Sequence, residues 1–126
     1  MATTAITEIK NFIGGEERPA ADGAREPIVN PATGEEIAAA PLSGEADVDA
    51  AVRAADAAFA GWAETPPADR ALALLRIADA IEERAEELSQ VESTNVGKPI
   101  EAMREEIPVV VDNLRFFAGA ARTMQA

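Results

Sequence analysis

Glu105 and Glu106 are the residues of this chain whose type and spacing most readily suggest chemistry: two adjacent carboxylates in a helical stretch. Acid/base work by a carboxylate pair needs two environments that hold the pKa values apart. Neighbours on a helix project about 100° from one another, so the two do not converge on one reacting atom and read as a solvated face. Glu101 stands one turn before Glu105, but the chain has no His or Cys to complete a divalent metal set. The same lack removes any thiol nucleophile and any disulfide framework. Gly14-Gly15 and Asn95-Val96-Gly97-Lys98 match neither a dinucleotide-binding turn nor a P-loop. Gly97 followed by Lys98 and Pro99 reads instead as a helix C-cap with a cation beside it. Phe59 and Trp62, at helical spacing, read as core anchors.

The elements that must position these residues fall into two kinds. Residues from about 10 to 42 carry strand and turn signals. Asn11-Phe12-Ile13 leads into Gly14-Gly15, a pair suited to a tight hairpin. Ala20-Ala21-Asp22-Gly23 is a further turn. Asn30-Pro31-Ala32-Thr33-Gly34-Glu35, flanked by Pro27-Ile28-Val29 and Ile37-Ala38-Ala39-Ala40, is the tip of another hairpin. Residues from about 44 to 126 read as three amphipathic helices. Ser43 is the expected N-cap of the first, whose stripe is Val48, Val52, Ala55, Phe59 and Trp62. Thr65 caps the second, with Pro66 in its first turn and Leu74, Ala78, Ile81, Ala85 and Leu88 on one face. The third carries Ile107, Val110, Leu114, Phe117, Ala121 and Met124. Pro108 is expected to mark its regular start, leaving Ile100–Ile107 as a separate or kinked turn.

Composition narrows the function classes. The formal net charge of −12 repels phosphate backbones and anionic lipid, which argues against nucleic-acid or membrane binding. The N-terminus has no basic segment leading into an apolar run, and no apolar stretch approaches the roughly 20 residues that span a bilayer. The expected location is the cytoplasm. Apolar content is 48%, but much of it is Ala and only 4% of residues are aromatic, so a self-sufficient core is hard to build. A short ribbon of strands needs something to pack on, and Arg122-Thr123-Met124-Gln125-Ala126 offers no C-cap. The sequence therefore reads as cut off.

Taken together, the segments carry a resemblance. They run from Ile28-Val29-Asn30-Pro31-Ala32-Thr33-Gly34-Glu35 through Asp47-Val48-Asp49-Ala50-Ala51-Val52 to Phe59-Ala60-Gly61-Trp62. Arg70, Ile77-Ala78-Asp79-Ala80-Ile81-Glu82 and Glu92-Ser93-Thr94-Asn95-Val96-Gly97-Lys98-Pro99 follow, then Leu114-Arg115-Phe116-Phe117-Ala118-Gly119-Ala120-Ala121-Arg122. In this order and at these separations they resemble the N-terminal quarter of an NAD(P)-dependent aldehyde dehydrogenase. The last run, with Glu106-Ile107-Pro108, is most similar to the aminobutyraldehyde and betaine-aldehyde branch.

The resemblance implies an α/β fold. Residues 1–126 would be the N-terminal portion of the cofactor-binding domain, incomplete without its sheet. In that family a Cys thiolate attacks the aldehyde, hydride passes to NAD or NADP, and water releases the acid from a thioester. None of those catalytic or cofactor-binding residues has a counterpart here, so the chain alone is expected to be inactive. The implied partners are the remainder of the dehydrogenase chain and an aldehyde, in a family of homodimers and homotetramers. Carried over residue by residue, Ile28, Val29 and Asn95 fall at a monovalent-cation site, with Asn95 also readable as a helix-end cap. Glu105, Glu106 and Val109 fall near the mouth of the substrate tunnel. An anionic Glu106 suits an ω-amino or quaternary ammonium aldehyde, although amino-aldehyde relatives often carry a second acid where Val109 stands. The competing reading is a free-standing helical interaction module without catalysis. It would unfold cooperatively and stay monodisperse, whereas the detached dehydrogenase piece would expose apolar helix faces.

Overall fold

The computed structural model describes residues 7–123, so Met124 of the third apolar stripe lies outside the described residues. The chain divides into two compact units, Met1–Ala63 and Glu64–Ala126.

Among the described residues the first unit holds five strands and one helix: β1 (Thr7–Glu8), β2 (Asn11–Ile13), β3 (Glu16–Arg18), β4 (Arg25–Val29), β5 (Glu36–Pro41) and α1 (Glu45–Ala63). β2 and β3 form the expected antiparallel hairpin, with φ of 63° at Gly14 and 85° at Gly15. β4 pairs antiparallel with β5, and β5 pairs parallel with β1, a short strand the sequence does not announce. Pro27 is tolerated in β4 because that strand is an edge of its sheet.

The turn between β4 and β5 is closed by local groups. Gly34 N–H donates to the Asn30 carbonyl at 2.8 Å, and Asn30 Oδ1 accepts from Ala32 N–H at 2.9 Å. Gly34 sits at φ 75°, where a side chain would be strained.

α1 packs against β2 with the face opposite to the one its periodicity suggests. Asp47 is buried, and Ala50 and Ala54 are half-buried. Val48, Val52, Phe59 and Trp62 are more than half exposed. Among the described residues, Phe59 and Trp62 therefore anchor no core.

The physical reason lies in what the hairpin accepts. A Cβ added at Gly14 would stand 3.8 Å from the Ala54 Cβ, ordinary van der Waals contact, so the hairpin lies directly against the Ala54 side of the helix. Asp47 Oδ1 accepts from Ala21 N–H and its Oδ2 from Gly44 N–H, both at 3.0 Å. The helix begins after Gly44 rather than Ser43, whose Oγ donates to Asn11 Oδ1 at 3.0 Å. Asp47 thus supplies the reaching-back half of a capping box while holding the loop at Ala21.

Among the described residues the second unit has three helices where the sequence suggests two: α2 (Pro67–Glu83), α3 (Ala85–Val96) and α4 (Ile100–Ala121). The long second helix breaks at Arg84, whose φ of −107° and ψ of 19° leave the helical region. No Gly or Pro marks this point. Arg84 Nε donates to Glu87 Oε2 at 2.8 Å, which braces the corner from the side chains, and both helices pack on α4. α2 starts with Pro67 at its first position and Pro66 at the cap, one residue later than a Thr65 cap.

α4 is continuous through Pro108, contrary to the expected start there. Proline removes the bond to the Arg104 carbonyl, but Pro108 lies on an exposed side where water can hydrate that carbonyl. The inner face of α4 is Met103, Val111 and Ala118, packed with Ala71 and Ala78 of α2. The face Leu74–Ala78–Ile81 does point inward as its spacing implies.

Candidate functional site

The corner between α3 and α4 gathers most of the residues singled out for function. α3 ends on Gly97, which adopts φ 71° and ψ 18° and donates its N–H to the Ser93 carbonyl at 2.9 Å. Gly97 is therefore the cap, as its position suggests, and Asn95 lies inside the helix as an exposed residue rather than capping its end. Ser93 Oγ donates to the Lys98 carbonyl at 2.6 Å, which fixes the chain as it turns into α4.

Lys98 Nζ donates to Glu106 Oε1, so the carboxylate expected to stand free carries its own counter-ion. Glu105 and Val109 are one turn apart on α4, both exposed, with Val109 at 58%. Beside them a groove of about 340 Å³ has Leu88, Met103, Ile107 and Val110 among its walls, with Glu92 and Glu106 at its charged side. Of its two acids, Glu106 carries the Lys98 counter-ion.

Ile28 and Val29 lie at the end of β4 in the first unit, half-buried and exposed respectively, next to the Asn30 turn. Among the described residues no group of three or more His, Cys, Asp or Glu side chains could hold a metal ion.

Charge on the second unit is organised by two arginines. Arg104 donates from Nη2 and Nε to Glu86 at 2.6 and 2.9 Å and from Nη1 to Glu101 at 2.6 Å, tying α4 to α3. Hydrogen bonds from Arg104, helped by Gln90, hold the Glu86 carboxyl down at about 2. Arg115 donates to Asp79 at 2.9 Å and Glu82 at 2.6 Å, tying α4 to α2 and lowering the Glu82 pKa. With both oxygens held by Arg104 and one also by Gln90, Glu86 serves as the ion that ties α3 to α4. The Ser89 hydroxyl is buried and committed to the Ala85 carbonyl at 2.8 Å. No nucleophile–base pair arises among these described side chains.

The described residues also do not fit a dinucleotide. The one parallel strand pair among them, β1 with β5, has no glycine-rich strand-to-helix turn between its strands, and the helices of the second unit begin at Pro66, Arg84 and Pro99, with no glycine at any of these caps. No step involving the nicotinamide is derived from this chain. Sequence reasoning missed the Lys98–Glu106 pair, because eight residues and a helix corner separate the two. It also missed Asp47, although an acid three residues after Gly44 is the available signal.

Residues 19–126 match the aldehyde dehydrogenase family. The chain is 43% identical over 116 residues to a fluoroacetaldehyde dehydrogenase of Streptantibioticus cattleyicolor, covering 91% of this chain and 23% of that protein. It is 42% identical over 119 residues to acetaldehyde dehydrogenase 2 of Cupriavidus necator, covering 94% of this chain and 24% of that protein. The crystal structure of an NAD-dependent aldehyde dehydrogenase from Sinorhizobium meliloti superposes with a TM-score of 0.91 at 34% identity, over 96% of this chain and 25% of that one. The chain thus spans about a quarter of the length of the relatives it matches. On sequence and on fold alike, it belongs to the aldehyde dehydrogenase family.

Proposed function

We propose that these residues are the N-terminal portion of an NAD-dependent aldehyde dehydrogenase of the cytoplasm, and that they form the first part of its cofactor-binding domain. The observation that carries this reading is a family match running from residue 19 to residue 126 in a chain with no cysteine, a quarter as long as its relatives. The nucleophile and the dinucleotide cradle then belong to the remaining three-quarters of a family-length chain. Glu105, Glu106 and Val109 stand at the entrance to the substrate tunnel, and Ile28, Val29 and Asn95 contribute to a monovalent-cation site. The Lys98–Glu106 pair and the apolar Val109 favour an uncharged aldehyde over an amino or quaternary ammonium one. This is the reverse of what an unpaired Glu106 suggests. The free-standing interaction module is not favoured, since the chain leaves large apolar side chains uncovered.

The test replaces the matching quarter of the fluoroacetaldehyde dehydrogenase with residues 1–126 and follows NAD reduction with acetaldehyde and with an ω-amino aldehyde. Turnover with the neutral substrate is the expected result, and the 126-residue chain alone reduces no NAD. A folded chimera that oxidises no aldehyde would sink the reading.

A further inference from the structure

α3 is a short strut between two joints. At its start Arg84 leaves the helical region with φ −107° and ψ 19°, and at its end Gly97 turns left-handed with φ 71° and ψ 18°. Between the joints the helix packs chiefly on α4. At 1.5 Å per residue, Glu86 lies about 16 Å from Gly97 along the axis. The Arg104 fork grips α3 at that far end, with Nη2 and Nε each on a different Glu86 oxygen. Gln90 Nε2 donates to the same carboxylate at 2.9 Å, and Glu101 takes a third Arg104 bond. Exposed ion pairs contribute little singly, but a bidentate fork within a network is the exception.

The joint at Gly97 governs the charge beside the groove. Ser93 Oγ, in the last turn of α3, donates to the Lys98 carbonyl at 2.6 Å, so Lys98 follows α3. Lys98 Nζ in turn reaches Glu106 on α4. A swing of α3 about Gly97 therefore draws the counter-ion off Glu106. Arg104 itself does not reach that carboxylate: two residues apart on a helix, the side chains project about 160° from each other.

We infer that Arg104 is a positioning residue for substrate charge: by latching the far end of α3 to α4 it keeps Lys98 on Glu106, and so keeps the entrance selective for uncharged aldehydes. That role rests on the functional reading above, in which Glu106 stands at the tunnel entrance. It carries the choice between neutral and cationic aldehydes back to an ion pair whose bonds go to Glu86 and Glu101.

The test uses the chimera with the fluoroacetaldehyde dehydrogenase and reads the ratio of kcat/KM for an ω-amino aldehyde to that for acetaldehyde. Lys98→Met removes the counter-ion directly and raises the ratio about tenfold, the low end for close charge pairs. Arg104→Gln and Glu86→Ala each raise it about threefold, through the KM of the amino aldehyde with kcat unchanged, the low end for coupling within one network. These two substitutions change the net charge in opposite directions. A direct field effect would move the ratio up in one and down in the other, whereas release of the latch moves it up in both. In the Lys98→Met background neither adds a further change, because both act through Lys98.

The positioning role is refuted by an unmoved ratio in a folded Arg104→Gln or Glu86→Ala chimera, even one that melts lower. It is equally refuted by opposite shifts in the two, or by a shift that persists beside Lys98→Met. Should Arg104→Gln fail to fold, the Glu86→Ala ratio alone decides. A ratio that moves in Lys98→Met only removes the latch and leaves the functional reading standing. An unmoved ratio in Lys98→Met, or an unsubstituted chimera that oxidises no aldehyde, removes both.

Discussion

Replacing Asp47 by Ala should loosen the first unit more than any other exchange at a residue with so small a side chain. The carboxylate is 8% exposed and accepts two backbone N–H groups at 3.0 Å, one from its own helix start at Gly44 and one from Ala21, 26 residues earlier in the chain. A hydrogen bond to a charged group contributes about 1.5–3 kcal/mol, and loss of a helix cap costs about 0.5–2 kcal/mol. Ala21 and Gly44 are themselves exposed residues, so water recovers part of both terms once the carboxylate is gone. The net loss is about 2–3 kcal/mol. A unit of this size is stable by about 3–9 kcal/mol at the usual 0.05–0.15 kcal/mol per residue, so the change removes a large share.

Amide hydrogen exchange reads this at the two bonds. With tenfold per 1.4 kcal/mol, exchange at Ala21 and Gly44 should accelerate about 30- to 150-fold. Asp47→Asn keeps one acceptor oxygen and turns an NH2 toward the other amide, so one of the two N–H groups stays protected and the other does not. Exchange at Ala21 that changes less than about threefold in Asp47→Ala would refute the bracing role.

Acid should dissolve the α3–α4 tie late. The Glu86 pKa is depressed in the fold, so its contribution is complete above the ordinary carboxylate value near 4.5 and fades as the pH falls through about 2. A carboxyl NMR titration should find that low midpoint in the intact chain and a normal one in Arg104→Gln. Gly34→Ala should cost about 1–2 kcal/mol from the φ of 75° alone, because nothing stands within 4 Å of the new Cβ. Gly119→Ala, inside α4 and equally open, should instead add about 0.5–1 kcal/mol, and thermal melts of the pair should move in opposite directions. Pro108→Ala restores the N–H that α4 lacks and should stabilise the helix by about 1–3 kcal/mol, seen as a higher urea midpoint; a lower one would mean the ring itself is packed.

Features that depend on near neighbours in the chain were legible, and those that depend on what lies alongside were not. The Asn30–Glu35 turn, the Gly14-Gly15 hairpin and the Gly97 cap each close on their own backbone, so residue type suffices. Periodicity located α1 correctly but assigned its apolar stripe to the core. It reports which residues share a face and cannot report whether a neighbour is present to cover that face. The break at Arg84 has no local breaker to betray it, because the bend serves the packing of two helices on a third. Pro108 was misleading for the opposite reason: it is a local breaker by type, yet on the exposed side of α4 its freed carbonyl can reach water and the helix runs on. In the candidate site, the positions of Glu105, Glu106 and Val109 came from likeness to a family. The counter-ion that changes their meaning came from the corner geometry at Lys98.

The alanine-built seam between α2 and α4 inverts the usual rule about which core substitutions do harm. Ala71, Ala78 and Ala118 are 3%, 0% and 2% exposed, and each is already the smallest side chain with a Cβ. Truncation has almost nothing left to remove there, so cavity formation is not the hazard. Every permitted change at these positions except Gly adds volume between two helix backbones, at about 1–3 kcal/mol for each overpacked site. The seam can drift in sequence only by pushing its helices apart, and that separation would also pull Arg115 away from Asp79 and Glu82.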